Sequence, residues 1–207
     1  MDDNFNIKVE DYFEPNGGVI FPNPNAPTSI EISLDSIEEI IKNNQDVVVI
    51  VDEAYADFGK VTALDLVNKY NNLLVVRTYS KSRAMAGMRI GYAIGNEALI
   101  SAMKAVKFSY NSYTMNMPSI AAGVAAIKDD EYFKKIVGKI IKTRENAKEK
   151  LADLGFEFAD SQANFIFAKI APAPILQNGC STYKFSHFSR NNKITDNMLR
   201  LILLYAT

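Results

Sequence analysis

Two short runs in the chain carry no polar interruption. Residues 47–51 read Val47-Val48-Val49-Ile50-Val51, and residues 73–76 read Leu73-Leu74-Val75-Val76. Apolar runs of this length, rich in β-branched residues and without alternation, predict parallel strands covered on both faces. A shorter run, Gly18-Val19-Ile20-Phe21, predicts a strand leading into a turn rich in proline and asparagine. Residues 34–43 place Leu34, Ile37, Ile40 and Ile41 at helical spacing, which predicts an amphipathic helix. A short helix is predicted around residues 64–68, and the small and apolar residues of 89–95 predict a further strand. Helices are predicted over 97–107 and over the alanine-rich 119–127. A long charged helix is predicted over 131–155, with Phe133, Ile136, Ile140, Ile141 and Leu151 facing inward and its lysines solvated. Residues 165–168 open another strand. Alternation of strand and helix predicts an α/β class, with a mainly parallel sheet and flanking helices.

Polar residues gather just past the two apolar runs. After 73–76 comes Arg77-Thr78-Tyr79-Ser80-Lys81-Ser82, followed by Gly87-Met88-Arg89-Ile90-Gly91-Tyr92. A lysine amine in such a place can form a Schiff base with an aldehyde cofactor. The hydroxyls of Thr78 and Ser80 and the guanidinium of Arg89 suit a phosphate, since the planar fork of arginine donates several hydrogen bonds to one anion. After 47–51 comes Asp52-Glu53-Ala54-Tyr55-Ala56-Asp57-Phe58. Carboxylates there fall at the C-terminal edge of the sheet, where open α/β folds bind ligands. Asp52 can face a cofactor's pyridinium nitrogen and keep it protonated, so that the ring acts as an electron sink. Each segment has a plainer reading. The first can be a basic surface loop, and Asp52 can be a helix cap.

Three blocks, in order, resemble the fold-type-I pyridoxal-phosphate aminotransferases, and within them the histidinol-phosphate aminotransferase group. They are Pro22-Asn23-Pro24-Asn25-Ala26-Pro27-Thr28, then Asp52-Glu53-Ala54-Tyr55, then Thr78-Tyr79-Ser80-Lys81 with Gly87 to Tyr92. Ser161-Gln162-Ala163-Asn164-Phe165 resembles that family's entry into its small C-terminal domain. The resemblance implies a partial large domain of the aspartate-aminotransferase-like fold over 1–145 and part of the small domain over 146–207. It implies pyridoxal 5'-phosphate as cofactor and Lys81 as the Schiff-base lysine and proton shuttle. Asp52 is implied to pair with the pyridine nitrogen, and Tyr55 and Asn25 with the phenolic oxygen. Thr78, Ser80 and Arg89 are implied to bind the phosphate, and Asn164 and Arg200 the substrate carboxylate. The implied reaction is transamination, with histidinol phosphate and 2-oxoglutarate. Tyr55 as a core tyrosine, Asn25 as a turn former and Arg200 as a solvated charge stay open beside these roles.

The departures shape the expectation. The family's N-terminal arm and the first half of its large domain have no counterpart here, and with them go a glycine-rich phosphate contact and the aromatic residue that stacks on the ring. Ser29 stands where the family has glycine. Ile170-Ala171-Pro172-Ala173-Pro174 replaces the start of a small-domain helix, and Ser186 lies near the place of a second arginine. Besides a working aminotransferase, a cofactor-binding remnant without turnover and a non-enzymatic domain keeping only the fold are therefore expected alternatives. A sheet cut short exposes apolar faces and edges, which predicts self-association.

Composition narrows the partners. A net charge of −1 implies no polyanion such as nucleic acid. One cysteine implies no internal disulfide and fits a reducing, cytoplasmic compartment. No apolar run approaches the ~20 residues of a membrane span. The single histidine, His187, argues against a multi-histidine metal site.

Overall fold

The computed structural model describes residues 5–169 and, as backbone, 199–203. Its larger sheet has the order β1-β2-β3-β4, with β1 Val19–Pro22, β2 Val49–Asp52, β3 Leu73–Thr78 and β4 Gly91–Gly95. The first three strands are parallel and β4 runs antiparallel to β3. Pro22, Asp52 and Val76 are aligned across the three parallel strands. Their C-terminal ends therefore share one edge of the sheet.

The side-chain period of two decides what each sheet face does. Val19, Phe21, Val49, Val51, Leu73 and Val75 form one buried cluster. Helix α1, Leu34–Lys42, closes it with Ile37, Ile40 and Ile41, all fully buried. Ser33 caps α1, its hydroxyl accepting the Ser36 N–H at 3.1 Å. Burial of each such aliphatic side chain stabilises the fold by about 1.5–3 kcal/mol. The opposite face differs from the two-sided cover predicted for these strands. Leu74 is buried there, Ile50 and Val76 are half-buried, and Ile20 is 68% exposed. Cover thus fades toward β1. Asp52 belongs to this second face.

Three boundaries differ from expectation. The strand predicted from residue 89 begins at Gly91, because Ala86–Met88 form a 3-10 turn and Arg89 takes a left-handed φ of 55°. The helix predicted near 64–68 is a 3-10 turn, Ala63–Leu66, started by the Thr62 hydroxyl. Helix α2, Glu97–Tyr110, is longer than predicted and has no buried residue. Its Met103, Val106 and Tyr110 form an exposed apolar stripe at helical spacing. Helix α3, Met117–Lys128, approaches the sheet through Gly123, where a Cβ would lie 2.9 Å from the Ile90 Cδ1. Ile120, Val124 and Ile127 of the same helix are exposed.

Helix α4, Asp130–Asp153, runs unbroken through the position of the 145/146 division. Its Val137 and Ile140 pack on Phe58, while Ala147 and Leu151 pack on Ile166 and Ala168. A small antiparallel sheet follows, of order β5-β6-β7, with β5 Glu157–Phe158, β6 Phe165–Lys169 and β7 Leu199–Leu203. Cys180, Ser186 and His187 lie outside the described residues. Among the described residues, no helix is long and apolar enough to cross a membrane and no group of acidic, histidine or cysteine side chains is arranged to hold a metal.

Candidate active site

The sheet edge that ends β1, β2 and β3 gathers most of the predicted residues. Asp52 closes β2, and one of its oxygens, Oδ1, accepts the Ala54 N–H at 3.0 Å. Tyr55 begins the next turn. Lys81 follows β3 and is exposed, with its Nζ 5.0 Å from the centre of the Tyr55 ring. The Tyr55 ring also meets Phe165 edge-on, at 5.1 Å between ring centres. Among the described residues, no ion pair engages either the Lys81 amine or the Asp52 carboxylate. A charge of each sign is therefore available at the same edge.

Two hydroxyls shape the turn that carries Lys81. Thr78 Oγ1 accepts the Ser80 N–H at 3.0 Å and lies 2.9 Å from Ser80 Oγ. Tyr79 N–H donates to Ile90 O at 3.1 Å, which brings the Arg89 segment alongside. The Arg89 guanidinium is itself exposed and donates to Ala86 O at 2.9 Å, with no contact to Thr78 or Ser80. A non-glycine residue held at positive φ beside a site costs of order 1–3 kcal/mol.

The Asn-Pro block is tied in from both ends. Asn23 N–H donates to Asp52 O at 2.9 Å, and Gln162 N–H donates to Ser29 O at 2.8 Å. Asn25 is half-buried, and its Nδ2 donates to Thr28 Oγ1 at 2.6 Å. Ser29 is fully buried with φ 62°, a conformation that favours glycine. Asn164 stands next to Phe165, and its buried Oδ1 has no hydrogen-bond partner. Arg200 lies on β7, its backbone paired with Ala168; its side chain falls outside the described residues.

Sequence reasoning passed over the charged pair behind this edge. Arg77 donates from Nε and Nη2 to Glu53 Oε2, at 2.9 and 2.7 Å. The Glu53 side chain is fully buried. Burial alone would lower the Arg77 pKa, but the hydrogen bonds and charge of Glu53 raise it above its ordinary value. The signal was available: each residue adjoins a candidate and sits one step out of phase with it, on the covered face. Arg144, on the lysine-rich helix α4, drew no separate expectation from the sequence. It is 4% exposed, and its Nη1 donates to both Phe58 O and Ala163 O at 3.0 Å.

Comparison with known proteins agrees with this arrangement. A family model described as aminotransferase class I and II matches residues 1–191. The histidinol-phosphate aminotransferase of Brachyspira hyodysenteriae is 54% identical over 168 residues, covering 81% of this chain and 48% of the relative. That of Acinetobacter baylyi is 53% identical over 167 residues, covering 81% and 46%. The chain thus spans about half the length of the curated relatives it matches. A putative histidinol-phosphate aminotransferase from Erwinia carotovora superposes with a TM-score of 0.75 at 28% identity, covering 85% of this chain and 53% of that one. The enzyme of Sinorhizobium meliloti, solved in complex with pyridoxal-5'-phosphate, shares the fold with a TM-score of 0.67 at 24% identity, covering 73% and 42%. With its sheet order, its lysine-bearing edge and a family match across most of its length, the chain belongs to the class I and II aminotransferases.

Proposed function

We propose that this chain carries the lysine-bearing part of a pyridoxal-phosphate-dependent aminotransferase, acting between histidinol phosphate and 2-oxoglutarate. The observation that carries this reading is the meeting of Lys81, Tyr55 and Asp52 at one sheet edge, with neither charge engaged by an ion pair among the described residues. The unpartnered Asn164 Oδ1 fits a site that still awaits a polar group. When bound, pyridoxal phosphate supplies an aldehyde for an amine and a ring that accepts electrons. Lys81 contributes the amine and moves the proton at the donor's Cα. Asp52 holds a proton on the pyridine nitrogen. Tyr55 and Asn25 donate hydrogen bonds to the phenolic oxygen. Thr78, Ser80 and Arg89 take the phosphate, with Arg89 swinging from Ala86 O to reach it. Asn164 and Arg200 hold the substrate carboxylate.

The same reading divides the chain into part of a cofactor-binding domain, 1–145, and part of a small domain, 146–207. Support comes from the separate antiparallel sheet beyond that point, although α4 bridges the two. It also goes with a cytoplasmic location and with self-association through the exposed apolar stripe of α2. A second reading, cofactor capture without turnover, is favoured by the incompletely covered sheet face. Lost positioning removes much of an enzyme's rate.

The test is a visible absorbance spectrum after incubation with pyridoxal phosphate, against a Lys81→Ala control. A band that needs Lys81, followed by amino transfer from histidinol phosphate, supports the first reading. The band without transfer supports the second. A spectrum equal to the control's overturns both.

A further inference from the structure

A chain of part-buried polar contacts, anchored on the buried Glu53 carboxylate, runs behind the candidate site and joins its two halves. Glu53 Oε2 accepts from Arg77 at 2.7 and 2.9 Å and from Thr62 Oγ1 at 2.9 Å, while Oε1 accepts the Ala63 N–H at 2.5 Å. Arg77 reaches onward, its Nη1 3.6 Å from Asp57 Oδ1. The other Asp57 oxygen, Oδ2, accepts the Ser82 hydroxyl. Ser82 is 3% exposed and directly follows Lys81. The contacts thus alternate between the β2 end (Glu53, Asp57) and the β3 end (Arg77, Ser82). Strand alternation sets Glu53 and Arg77 out of phase with Asp52 and Thr78, so the chain of contacts lies on the covered side of the sheet.

We infer that Glu53, Arg77, Asp57 and Ser82 form a positioning relay that fixes the Lys81 turn against Asp52 and Tyr55. It is this chain's means of holding Lys81 in register for the chemistry proposed above. Three features support a positioning role over a merely charged surface. The Glu53 carboxylate is fully buried and saturated with donors. The guanidinium presents two nitrogens to one oxygen and a third toward Asp57, a fixed fork with little freedom. The last link, Ser82, touches the lysine's own turn, where Ala84 N–H donates to Lys81 O at 3.1 Å and Met85 N–H to Tyr79 O at 3.0 Å.

Arg77→Ala would strand a buried carboxylate and report on folding instead. Ser82→Ala cuts the last link alone, and Ser82→Thr restores the hydroxyl. Amide hydrogen exchange of the 207-residue chain without cofactor is the first readout. Ser82→Ala is expected to speed exchange at Ala84 and Met85 about tenfold, to leave α1 unchanged, and to be rescued by Ser82→Thr. A tenfold change corresponds to 1.4 kcal/mol of local opening. The second readout is capture of pyridoxal phosphate on Lys81, trapped with borohydride and counted by mass. Capture should slow about tenfold in Ser82→Ala and recover in Ser82→Thr. Unchanged exchange in Ser82→Ala overturns the relay, as does unchanged capture where the wild type captures. If the wild type captures nothing, the proposed function fails, and exchange alone decides the relay.

Discussion

Ser29 holds a backbone conformation that suits glycine better. Its φ of 62° places the Cβ in the left-handed region, where an L-residue is disfavoured by roughly 1–2 kcal/mol. Its N–H donates to Asn25 O at 2.8 Å, and its carbonyl accepts from Gln162. Those backbone bonds hold the turn whatever the side chain. Ser29→Gly is expected to stabilise the chain by about 1 kcal/mol, the relieved strain exceeding the lost hydroxyl bond to Thr28 O. Urea denaturation checks this, and a lower midpoint in the variant would show that the hydroxyl bond dominates. At this scale Lys81 and Asp52 stood out in the sequence because each comes shortly after an apolar run, and the structure brings both to one sheet edge. The sequence was silent on Arg144, since a buried arginine on a lysine-rich helix looks like any other charge.

At the scale of elements, α4 is the pin between the two sheets. Arg144 does this with one nitrogen, donating to the carbonyl of Phe58 in the turn after Asp52 and to that of Ala163 in the segment before β6. Arg144→Ala leaves two buried carbonyls without donors, at about 1–3 kcal/mol each. A loss of about 3 kcal/mol in folding stability is expected by chemical denaturation. A loss under ~1 kcal/mol would mean that water enters and satisfies both. The helices and the strands of the larger sheet were legible from periodicity, β5 and β7 were not, and boundary errors gathered where a turn is tightened. The apparent strand start at Arg89 failed because Arg89 takes a left-handed conformation to close the 3-10 turn that ends at Met88. The expectation of two-sided cover failed for another reason. An apolar run records a face suited to burial, and the partner that covers it need not lie within the same stretch of chain.

For the whole molecule, the exposed apolar surface of α2 sets the tendency to associate. Met103, Val106 and Tyr110 line one stripe of α2, with Val106 70% and Tyr110 92% exposed. Apolar patches of this kind drive association. The sedimentation coefficient is expected to rise with protein concentration, and a Val106→Ser/Tyr110→Ser variant to stay at its low-concentration value. A wild-type monomer at every concentration would count against the stripe as a contact surface. The partly covered sheet face has an electrostatic consequence as well. Asp52 is half-buried on that face, so a cation placed against it keeps part of its contact with water. Two charges 4 Å apart attract by about 1 kcal/mol in bulk water, against about 4 kcal/mol near a protein surface. Covering the face would therefore strengthen the attraction between Asp52 and a pyridinium ring, offset by the cost of taking both charges out of water, without moving one atom of the site.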